Sequence, residues 1–205
     1  MRQRGPDHAE YRRWLNPAGN QVLLLHTRLS IIDLEERSNQ PFQWDNNCIV
    51  YNGELYNYVE LRQERAARGV AYRTQSDTEV LLGIINQEGW GGLERCEGMW
   101  AFAVYDEEKG VLSLCRDRFG EKPLYVYRDA TGFYFGSEVK FITALLGRSL
   151  PVNMEHLYRY LVNGYKSLYK NGETFFQGLR ELEPGTVLHL EAQGGERQEV
   201  FWEPR

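Results

Sequence analysis

Residues 99–105 are apolar almost without interruption, and this run restricts the fold more than any other segment. Such a composition is typical of a strand that is buried on both of its faces. A strand of this kind needs packed elements above and below it, so the sequence predicts sheets packed together with helices outside them. Turn-forming residues follow at 106–110, and residues 111–115 are predicted to return as the neighbouring strand.

Hydrophobic periodicity divides the rest of the chain into short strands and four helices. Strands are predicted at residues 21–29, 48–51, 123–127, 133–136, 186–190 and 198–202, and helices at 58–68, 78–87, 139–146 and 154–163. Strands at both ends with helices grouped between them are typical of the α+β class. No convincing boundary divides residues 1–205, so the sequence predicts a single domain.

Charge and cysteine usage narrow the classes of function. The 205 residues carry 24 Lys and Arg against 29 Asp and Glu, and this net charge of −5 argues against a nucleic-acid partner. No apolar run approaches the roughly 18 residues of a membrane span, and the amino terminus lacks the apolar core of a signal peptide. Cys48, Cys96 and Cys115 form no CxxC pair, so neither a disulfide scaffold nor a metal site is expected. We therefore predict a cytoplasmic protein.

The dipeptide Asn52-Gly53 lies between two short strand-like segments and has two interpretations. It is a preferred sequence of the type I′ turn, and on local pattern alone a hairpin is favoured. In the functional interpretation, the side-chain amide of Asn52 and the backbone N–H of Gly53 form an oxyanion hole, because both can donate to one oxygen atom. Glycine would also let the backbone approach a ligand closely.

Three charged residues likewise have a structural and a functional interpretation. Asp77 follows Ser76 at a predicted helix start, where stabilisation of the helix dipole is favoured on position alone over binding of a ligand ammonium. Ser76 and Glu79 match the S-x-x-E capping box. Arg28 ends an apolar strand, where it either extends over the surface or makes a bidentate contact with a carboxylate. Glu54 is a solvated turn residue unless it faces the same cavity.

Together these residue types describe a receptor for a free amino acid, and a series of motifs indicates that they converge. The motifs are RGPD at 4–7, HTRLSIID at 26–33, QP at 40–41, YNGELYN at 51–57, SDTE at 76–79, GMWAFA at 98–103, RDRFGEKPLY at 116–125, SEVK at 137–140, LEPGT at 182–186 and FW at 201–202. In this order they resemble the class II glutamine amidotransferase domain of glutamine-hydrolysing asparagine synthetases. The resemblance covers nearly the whole chain, residues 1–205.

The resemblance implies a four-layer αββα sandwich of the N-terminal-nucleophile (Ntn) hydrolase type. Residues 116–125 resemble a family signature, which we interpret as structural or facing a partner domain and not as catalytic. In the family a strand and a helix precede the RGPD motif, and both are absent from this sequence. The resemblance therefore leads us to expect a sandwich without that strand and helix, which would expose sheet and core surface.

The resemblance further implies a binding site for L-glutamine. The implied residues are Arg28, Leu29, Ile31, Asn52, Gly53, Glu54 and Asp77. The arginine and backbone groups of the next two residues would hold the α-carboxylate, and the Asn-Gly pair would form the oxyanion hole. The two acidic residues would hold the α-ammonium.

The family's nucleophile is a cysteine at the first position of the mature chain, and its own free α-amine is the usual candidate for the base. This sequence opens with Met1-Arg2-Gln3, and its three cysteines are interior. Cys48 lies close to Asn52 in sequence, but a buried cysteine is usually inert, so we do not expect it to substitute. The chain by itself is therefore expected to be inactive.

The family continues into an ATP-dependent synthetase domain, which residues 1–205 do not contain. The resemblance thus implies no cofactor in this domain, with ATP and Mg²⁺ in the missing one. In the parent protein, ammonia from glutamine would amidate aspartate to asparagine. The implied partners are L-glutamine, the synthetase domain in cis and a second copy of the parent, with no nucleic acid and no membrane.

Three explanations of these departures stay open. The chain is an incomplete copy of a larger enzyme, which losses at both ends favour, or a natural pseudoenzyme that binds glutamine and regulates a partner. The third is a split amidotransferase whose missing pieces come from another chain. A non-catalytic glutamine-binding, regulatory or partner-docking module is therefore the alternative to an enzyme.

Overall fold

The computed structural model describes residues 3–164 and 172–204, which form eleven strands and four α-helices. The strands are β1 (His8–Leu15), β2 (Gln21–Arg28), β3 (Phe42–Trp44), β4 (Asn47–Leu55), β5 (Gly98–Asp106), β6 (Val111–Arg116), β7 (Tyr125–Asp129), β8 (Gly132–Gly136), β9 (Leu179–Glu181), β10 (Thr186–Leu190) and β11 (Glu196–Val200). The helices are α1 (Tyr58–Ala67), α2 (Asp77–Glu88), α3 (Val139–Leu146) and α4 (Met154–Asn163).

A six-stranded antiparallel sheet lies at the centre, in the order β11-β10-β6-β5-β4-β3. Strand β5 pairs with β4 on one side and with β6 on the other. Its successive residues from Trp100 to Tyr105 are all buried, although their side chains point to opposite faces. The predicted burial of this strand on both faces is therefore confirmed.

Helices α1 and α2 cover one face of the central sheet. The apolar side chains of α2, among them Leu81 and Ile84, pack with Ile49 of β4 and with Trp100 and Phe102 of β5. The helix contains no charge between Glu79 and Glu88, so nearly all of its circumference can be buried. This packing fixes the first turn of α2 beside strand β4.

Two smaller sheets cover the opposite face. One is the ribbon β1–β2, and the other has the order β8-β7-β9. Leu24 of β2 and Val126 of β7 share a core cluster with Ala101 and Ala103 of β5. Both small sheets therefore pack on the same side of the central sheet.

Helix α3 forms the outermost layer on this side. Its Ile142 is fully buried against Tyr127 of β7 and Leu179 of β9. Helix α4 follows, and the ring of its His156 contacts Phe175 at a centroid distance of 4.9 Å. The layers run helix, sheet, sheet, helix, which confirms the α+β class and the αββα sandwich.

Elements with a strong local pattern agree closely with the prediction. Helices α3 and α4 and strand β10 have the predicted bounds, whereas β1, β3 and β9 were not predicted. The hairpin prediction at Asn52-Gly53 is wrong, because β4 runs through both residues and pairs them with Ala101 and Trp100. The last strand is also two residues earlier than predicted, at Glu196–Val200.

Strand edges and apolar side chains are exposed on the smaller sheets. Within residues 3–164 and 172–204, β2 pairs only with β1, and β8 pairs only with β7. The outer face of the β1–β2 ribbon exposes Tyr11, Leu15, Leu23 and Leu25. These unpaired edges and apolar side chains leave sheet surface exposed. No described helix is both long enough and apolar enough to cross a membrane.

Candidate functional site

A cavity of about 1080 Å³ lies between the central sheet and the small sheets. Residues of β2 and β8 form its walls, and Val50, Ala101 and Ala103 of the central sheet contribute to its floor. All seven residues that the family resemblance implicates line this one cavity: Arg28, Leu29, Ile31, Asn52, Gly53, Glu54 and Asp77. Residues from three separate parts of the chain, 28–31, 52–54 and 77, thus converge.

Arg28 ends strand β2, and its side chain is folded into the following loop. The residue is 6% exposed, so the interpretation of a surface arginine is wrong. Its Nη1 donates to the carbonyl of Glu35 at 3.2 Å and to Oδ1 of Asn39 at 2.9 Å. Its Nη2 donates to the carbonyls of Ile32, at 3.0 Å, and Asp33. These four bonds occupy the four Nη hydrogens, so no bidentate Nη contact is available in this conformation.

The charge of Arg28 nevertheless faces the site. Burial lowers the pKa of its guanidinium, and the nearby carboxylates of Asp33, Asp7 and Asp77 oppose that shift. Leu29 and Ile31, in the loop that Arg28 organises, are exposed and line the cavity. Arg28 therefore both orders this loop and supplies positive potential at one end of the cavity.

Asn52 and Gly53 lie on β4 near the middle of the central sheet. Nδ2 of Asn52 donates to Oγ of Ser137, just after β8, at 3.2 Å, which holds the amide in the cavity. A Cβ atom on Gly53 would lie 2.3 Å from the carbonyl oxygen of Met99 and 2.8 Å from Cα of Trp100. Glycine is therefore required here by the close approach of the neighbouring strand, independently of any ligand.

Asp77 is the first residue of α2 and is almost fully buried. Its Oδ2 accepts hydrogen bonds from the hydroxyl of Tyr51 and from the backbone N–H of Leu55, each at 3.1 Å. Burial raises the pKa of this carboxyl above its usual value, although these hydrogen bonds counteract the shift. Glu54, on β4, lines the same cavity and is half-buried. Two carboxylates therefore lie where a cationic ligand group could bind.

The capping box at the start of α2 is only half formed. The Ser76 hydroxyl accepts from Thr78 N at 3.2 Å, so Ser76 is the N-cap as predicted. The carboxylate of Glu79 does not return to Ser76 but accepts from the backbone N–H groups of Arg73 and Thr74. Glu79 thus fixes the loop before Asp77.

Sequence reasoning missed several residues that support the site. Oε1 of Gln40 accepts from Tyr51 N at 2.6 Å, and its Nε2 donates to Thr78 Oγ1 at 3.2 Å. Gln40 therefore joins β4 to the first turn of α2, beside Asp77. Gln40, Tyr51 and Ser137 all lie in the motifs that carry the resemblance, and that position was the available signal.

None of the three cysteines is placed to act as a nucleophile. Cys48, Cys96 and Cys115 are free thiols and fully buried, and none of them lines the cavity that the described residues form. Burial raises the pKa of Cys48 and of Cys96 to about 12, and it raises that of Cys115 well above the usual value. A thiol this hard to ionise is a poor nucleophile near neutral pH.

Among residues 3–164 and 172–204, no three His, Cys, Asp or Glu side chains are grouped closely enough to hold a metal ion. His26 does line the cavity, as the neighbour of Tyr51 across the layers. Its Nε2 lies 3.2 Å from the Tyr51 carbonyl oxygen, and its buried Nδ1 has no hydrogen-bond partner in the described part of the chain. Burial lowers the pKa of His26 to about 4.

The neutral His26 should make stability dependent on pH. Its folded pKa is lower than its unfolded pKa of 6.5, so its contribution is complete above 6.5 and is lost as the pH falls toward 4. We expect His26→Gln, which can still donate to the Tyr51 carbonyl, to remove this dependence. The stability difference between wild type and variant should change by about 2 kcal/mol between about pH 8 and about pH 5 in urea unfolding. An unchanged difference would contradict the neutral histidine.

A solved structure has the same fold as this chain. Glutamine phosphoribosylpyrophosphate amidotransferase from B. subtilis, solved with ADP and GMP, superposes with a TM-score of 0.63 at 22% identity. The match covers 91% of this chain and 36% of that chain. The chain therefore shares its four-layer fold with this amidotransferase.

The family follows from sequence comparison. A family model described as the glutamine amidotransferase domain matches residues 1–202, and the chain belongs to this family. Asparagine synthetase [glutamine-hydrolyzing] 3 of Bacillus subtilis is 34% identical over 198 residues, covering 95% of this chain and 31% of that protein. Asparagine synthetase B [glutamine-hydrolyzing] of Escherichia coli is 37% identical over 142 residues, covering 68% and 24%. The chain spans about a third or less of the length of these curated relatives.

Proposed function

We propose that this chain is the glutaminase domain of an asparagine synthetase-like enzyme. It would hydrolyse L-glutamine to glutamate and supply ammonia for the ATP-dependent amidation of aspartate to asparagine elsewhere in the parent protein. The names of the relatives support the reaction, since both are glutamine-hydrolysing asparagine synthetases. The single observation that carries the proposal is the convergence of a buried arginine, an Asn-Gly pair and two carboxylates on one cavity.

The arrangement suits an α-amino acid with a side-chain amide. Positive potential from Arg28, with backbone groups of Leu29 and Ile31, would attract the α-carboxylate, and Asp77 with Glu54 would hold the α-ammonium. This would leave the side-chain amide of the ligand toward the central sheet. The supporting contacts are already made within the chain, so little reorganisation would be needed on binding.

The reaction would proceed through a thioester. A thiolate would attack the amide carbon of glutamine, and the resulting oxyanion would accept hydrogen bonds from Nδ2 of Asn52 and the backbone N–H of Gly53. The proton that the thiol gave up to its base would pass to the amide nitrogen, the carbon–nitrogen bond would break, and ammonia would leave. Water would cleave the thioester to give glutamate and regenerate the thiol.

The chain as its sequence stands would bind glutamine without cleaving it. Support comes from the three cysteines, which are buried, have raised pKa values and lie outside the cavity lining. The same observation favours a second candidate function, a non-catalytic module that binds glutamine and regulates or docks a partner. A thiol supplied by the parent protein or by another chain would turn this module into a glutaminase.

The remaining requirements belong to the parent protein. ATP and Mg²⁺ would act in a synthetase domain in cis, and no residue of this chain is assigned to them. A homodimer of the parent is a further expectation. Free cysteines suit a reducing compartment, so we propose the cytoplasm.

Calorimetric titration with L-glutamine, combined with an assay for released ammonia, tests the binding proposal. L-Norleucine is the control, because it has the same α-groups without a side-chain amide. Saturable binding of glutamine but not norleucine, with no ammonia, is the expected result. Absence of binding to folded protein would contradict the glutamine site, and release of ammonia would contradict the inert thiols.

An intact mass of the protein from its natural source separates the two candidate functions. A mass well above that of 205 residues, with an amino-terminal cysteine, would indicate the enzyme. A mass equal to that of Met1–Arg205 would indicate the binding module.

Replacing Asp77 with asparagine should weaken glutamine binding by about twentyfold, because a charge-assisted hydrogen bond to the α-ammonium is lost. Calorimetry measures the change. Burial raises the Asp77 pKa, and the bound ammonium favours the ionised carboxylate. Wild-type affinity should therefore fall as the pH drops through that raised pKa, whereas the variant's affinity should stay constant.

Glu60→Gln is the matched control, because it makes the same charge change in the first turn of α1 at an exposed position. The glutamine affinity of this variant should equal that of wild type at every pH. Equal affinities in the Asp77→Asn variant and wild type would show that Asp77 does not bind the ammonium.

A further inference from the structure

Asp33 occupies an unusual position in the loop that follows β2. Its backbone is in the left-handed region, at φ 51°, which aspartate tolerates better than most residues. Its side chain is only 3% exposed, and its carbonyl accepts a hydrogen bond from Nη2 of Arg28. Asp33 is not part of the lining of the cavity that the described residues form. Any role of Asp33 in ligand binding would therefore act through the residues that it contacts.

The carboxylate of Asp33 links two loops that are distant in sequence. Oδ2 accepts from the backbone N–H of Gln75 at 2.6 Å, and Oδ1 accepts from the N–H of Glu35 at 3.2 Å. The first bond crosses 42 positions of sequence to the segment just before Asp77. Burial raises the pKa of Asp33, but the hydrogen bonds, that from Gln75 foremost, hold it below its usual value. The carboxylate is therefore a charged acceptor at this junction.

The segment that donates this hydrogen bond, residues 74–76, is also held by contacts on its other side. The carboxylate of Glu79, which is 0% exposed, accepts from the backbone N–H and the hydroxyl of Thr74, each at 2.7 Å. Oγ1 of Thr74 accepts from the N–H of Ser76 at 3.1 Å. Each residue from Thr74 to Ser76 is thus fixed by a side-chain acceptor. Of these hydrogen bonds, the one from Gln75 to Asp33 connects the segment 74–76 to the loop that follows Arg28.

Arg28 and Asp77 are the cationic and anionic ends of the proposed glutamine site. An α-amino acid carries its carboxylate and its ammonium on one carbon, so the site has to hold both ends at a fixed spacing. We propose that Asp33 is a positioning residue that fixes this spacing and so makes the site prefer ligands that carry both α-groups. This inference rests on the proposed function and extends it to the selection of the ligand.

The test compares L-glutamine with glutaramate, which is glutamine without its α-ammonium. Asp33→Gly removes the carboxylate, and glycine adopts the left-handed conformation without strain. We expect the preference for glutamine over glutaramate, measured by calorimetry, to fall about tenfold, because the two ends of the site lose their fixed spacing. Asp33→Asn keeps one acceptor oxygen and should show a smaller loss.

Asp45→Gly is the matched control, since Asp45 is also an aspartate with a positive φ, 52°, but is exposed and outside the cavity lining. It should leave the preference unchanged. A full preference in folded Asp33→Gly would overturn the inference while the proposed function stands. If Asp33→Gly does not fold, the ligand preference of Asp33→Asn is measured in its place, and a full preference in that variant would overturn the inference.

Hydrogen exchange at the Gln75 N–H separates failure of the inference from failure of the proposed function. Exchange should be faster in Asp33→Gly than in wild type or in Asp45→Gly. Wild-type protein that binds no glutamine would overturn the proposed function and the ligand preference with it. Equal exchange rates at Gln75 would overturn the link between the loops whatever the ligand result.

Discussion

Replacing Asp117 with alanine is expected to lower the free energy of unfolding by about 4 kcal/mol, because it removes a buried charged acceptor and leaves several N–H groups unpaired. The carboxylate is 0% exposed. Its Oδ1 accepts from the N–H groups of Phe119 and Glu121, and its Oδ2 from those of Trp100 and Lys122, at 2.9 to 3.1 Å. Urea unfolding followed by circular dichroism measures the loss.

The effect should depend on burial and on the number of donors. Asp117→Asn keeps one acceptor oxygen and should lose less stability than Asp117→Ala. Asp129→Ala is the control, because Asp129 also accepts from backbone and side-chain donors but lies in a hairpin turn near the surface. We expect it to lower the free energy of unfolding far less than Asp117→Ala does, because solvent screens the contacts of Asp129. A similarly small loss for Asp117→Ala would contradict the structural role of the 116–125 motif.

Replacing Asn52 with alanine should lower glutaminase turnover by about two orders of magnitude, the usual effect of removing one oxyanion donor. The measurement needs a complete enzyme that contains this domain and the family's nucleophile. Ser137 holds the Asn52 amide through a hydrogen bond of 3.2 Å, so the donor is oriented before the substrate arrives. Glutamine affinity should change little, since the oxyanion forms only during the reaction.

Asn47→Ala provides the matched control for Asn52→Ala. Asn47 is the first residue of the same strand and lies outside the cavity lining, and its Nδ2 donates to Oδ1 of Asn86. Its replacement tests whether loss of any asparagine from β4 lowers turnover. Unchanged turnover in Asn52→Ala, or an equal loss in Asn47→Ala, would rule out the oxyanion role.

Local sequence pattern predicted the elements whose shape depends on near neighbours. Helices α3 and α4 have the predicted bounds, and each ends at a glycine, Gly147 or Gly164, with a positive φ. Strand β1 was missed because it alternates poorly and carries three charged residues among eight. The turn predicted at Asn52-Gly53 failed because pairing with β5, about 50 residues away, overrides the local preference.

The site was predictable in residue type and not in geometry. Composition suggested an amino-acid receptor, but only the family resemblance indicated that its residues meet. The contacts that hold them cross long stretches of sequence, such as Asp33 to Gln75 and Asn52 to Ser137. No local pattern encodes a backbone N–H that bonds to a side chain so far away, so Asp33 had no sequence signal beyond its place in a motif.

The β1–β2 ribbon would couple ligand binding to the local stability of the chain. Two-stranded sheets are only marginally stable by themselves. Within the described residues, this one leaves both outer strand edges unpaired and one apolar face exposed. Arg28 is its last residue, so the cationic end of the proposed site is attached to this ribbon. Local opening of the ribbon would carry away the cationic end while Asp77 stays fixed on α2. Binding of the proposed ligand and folding of the ribbon would therefore be thermodynamically linked, and each would stabilise the other.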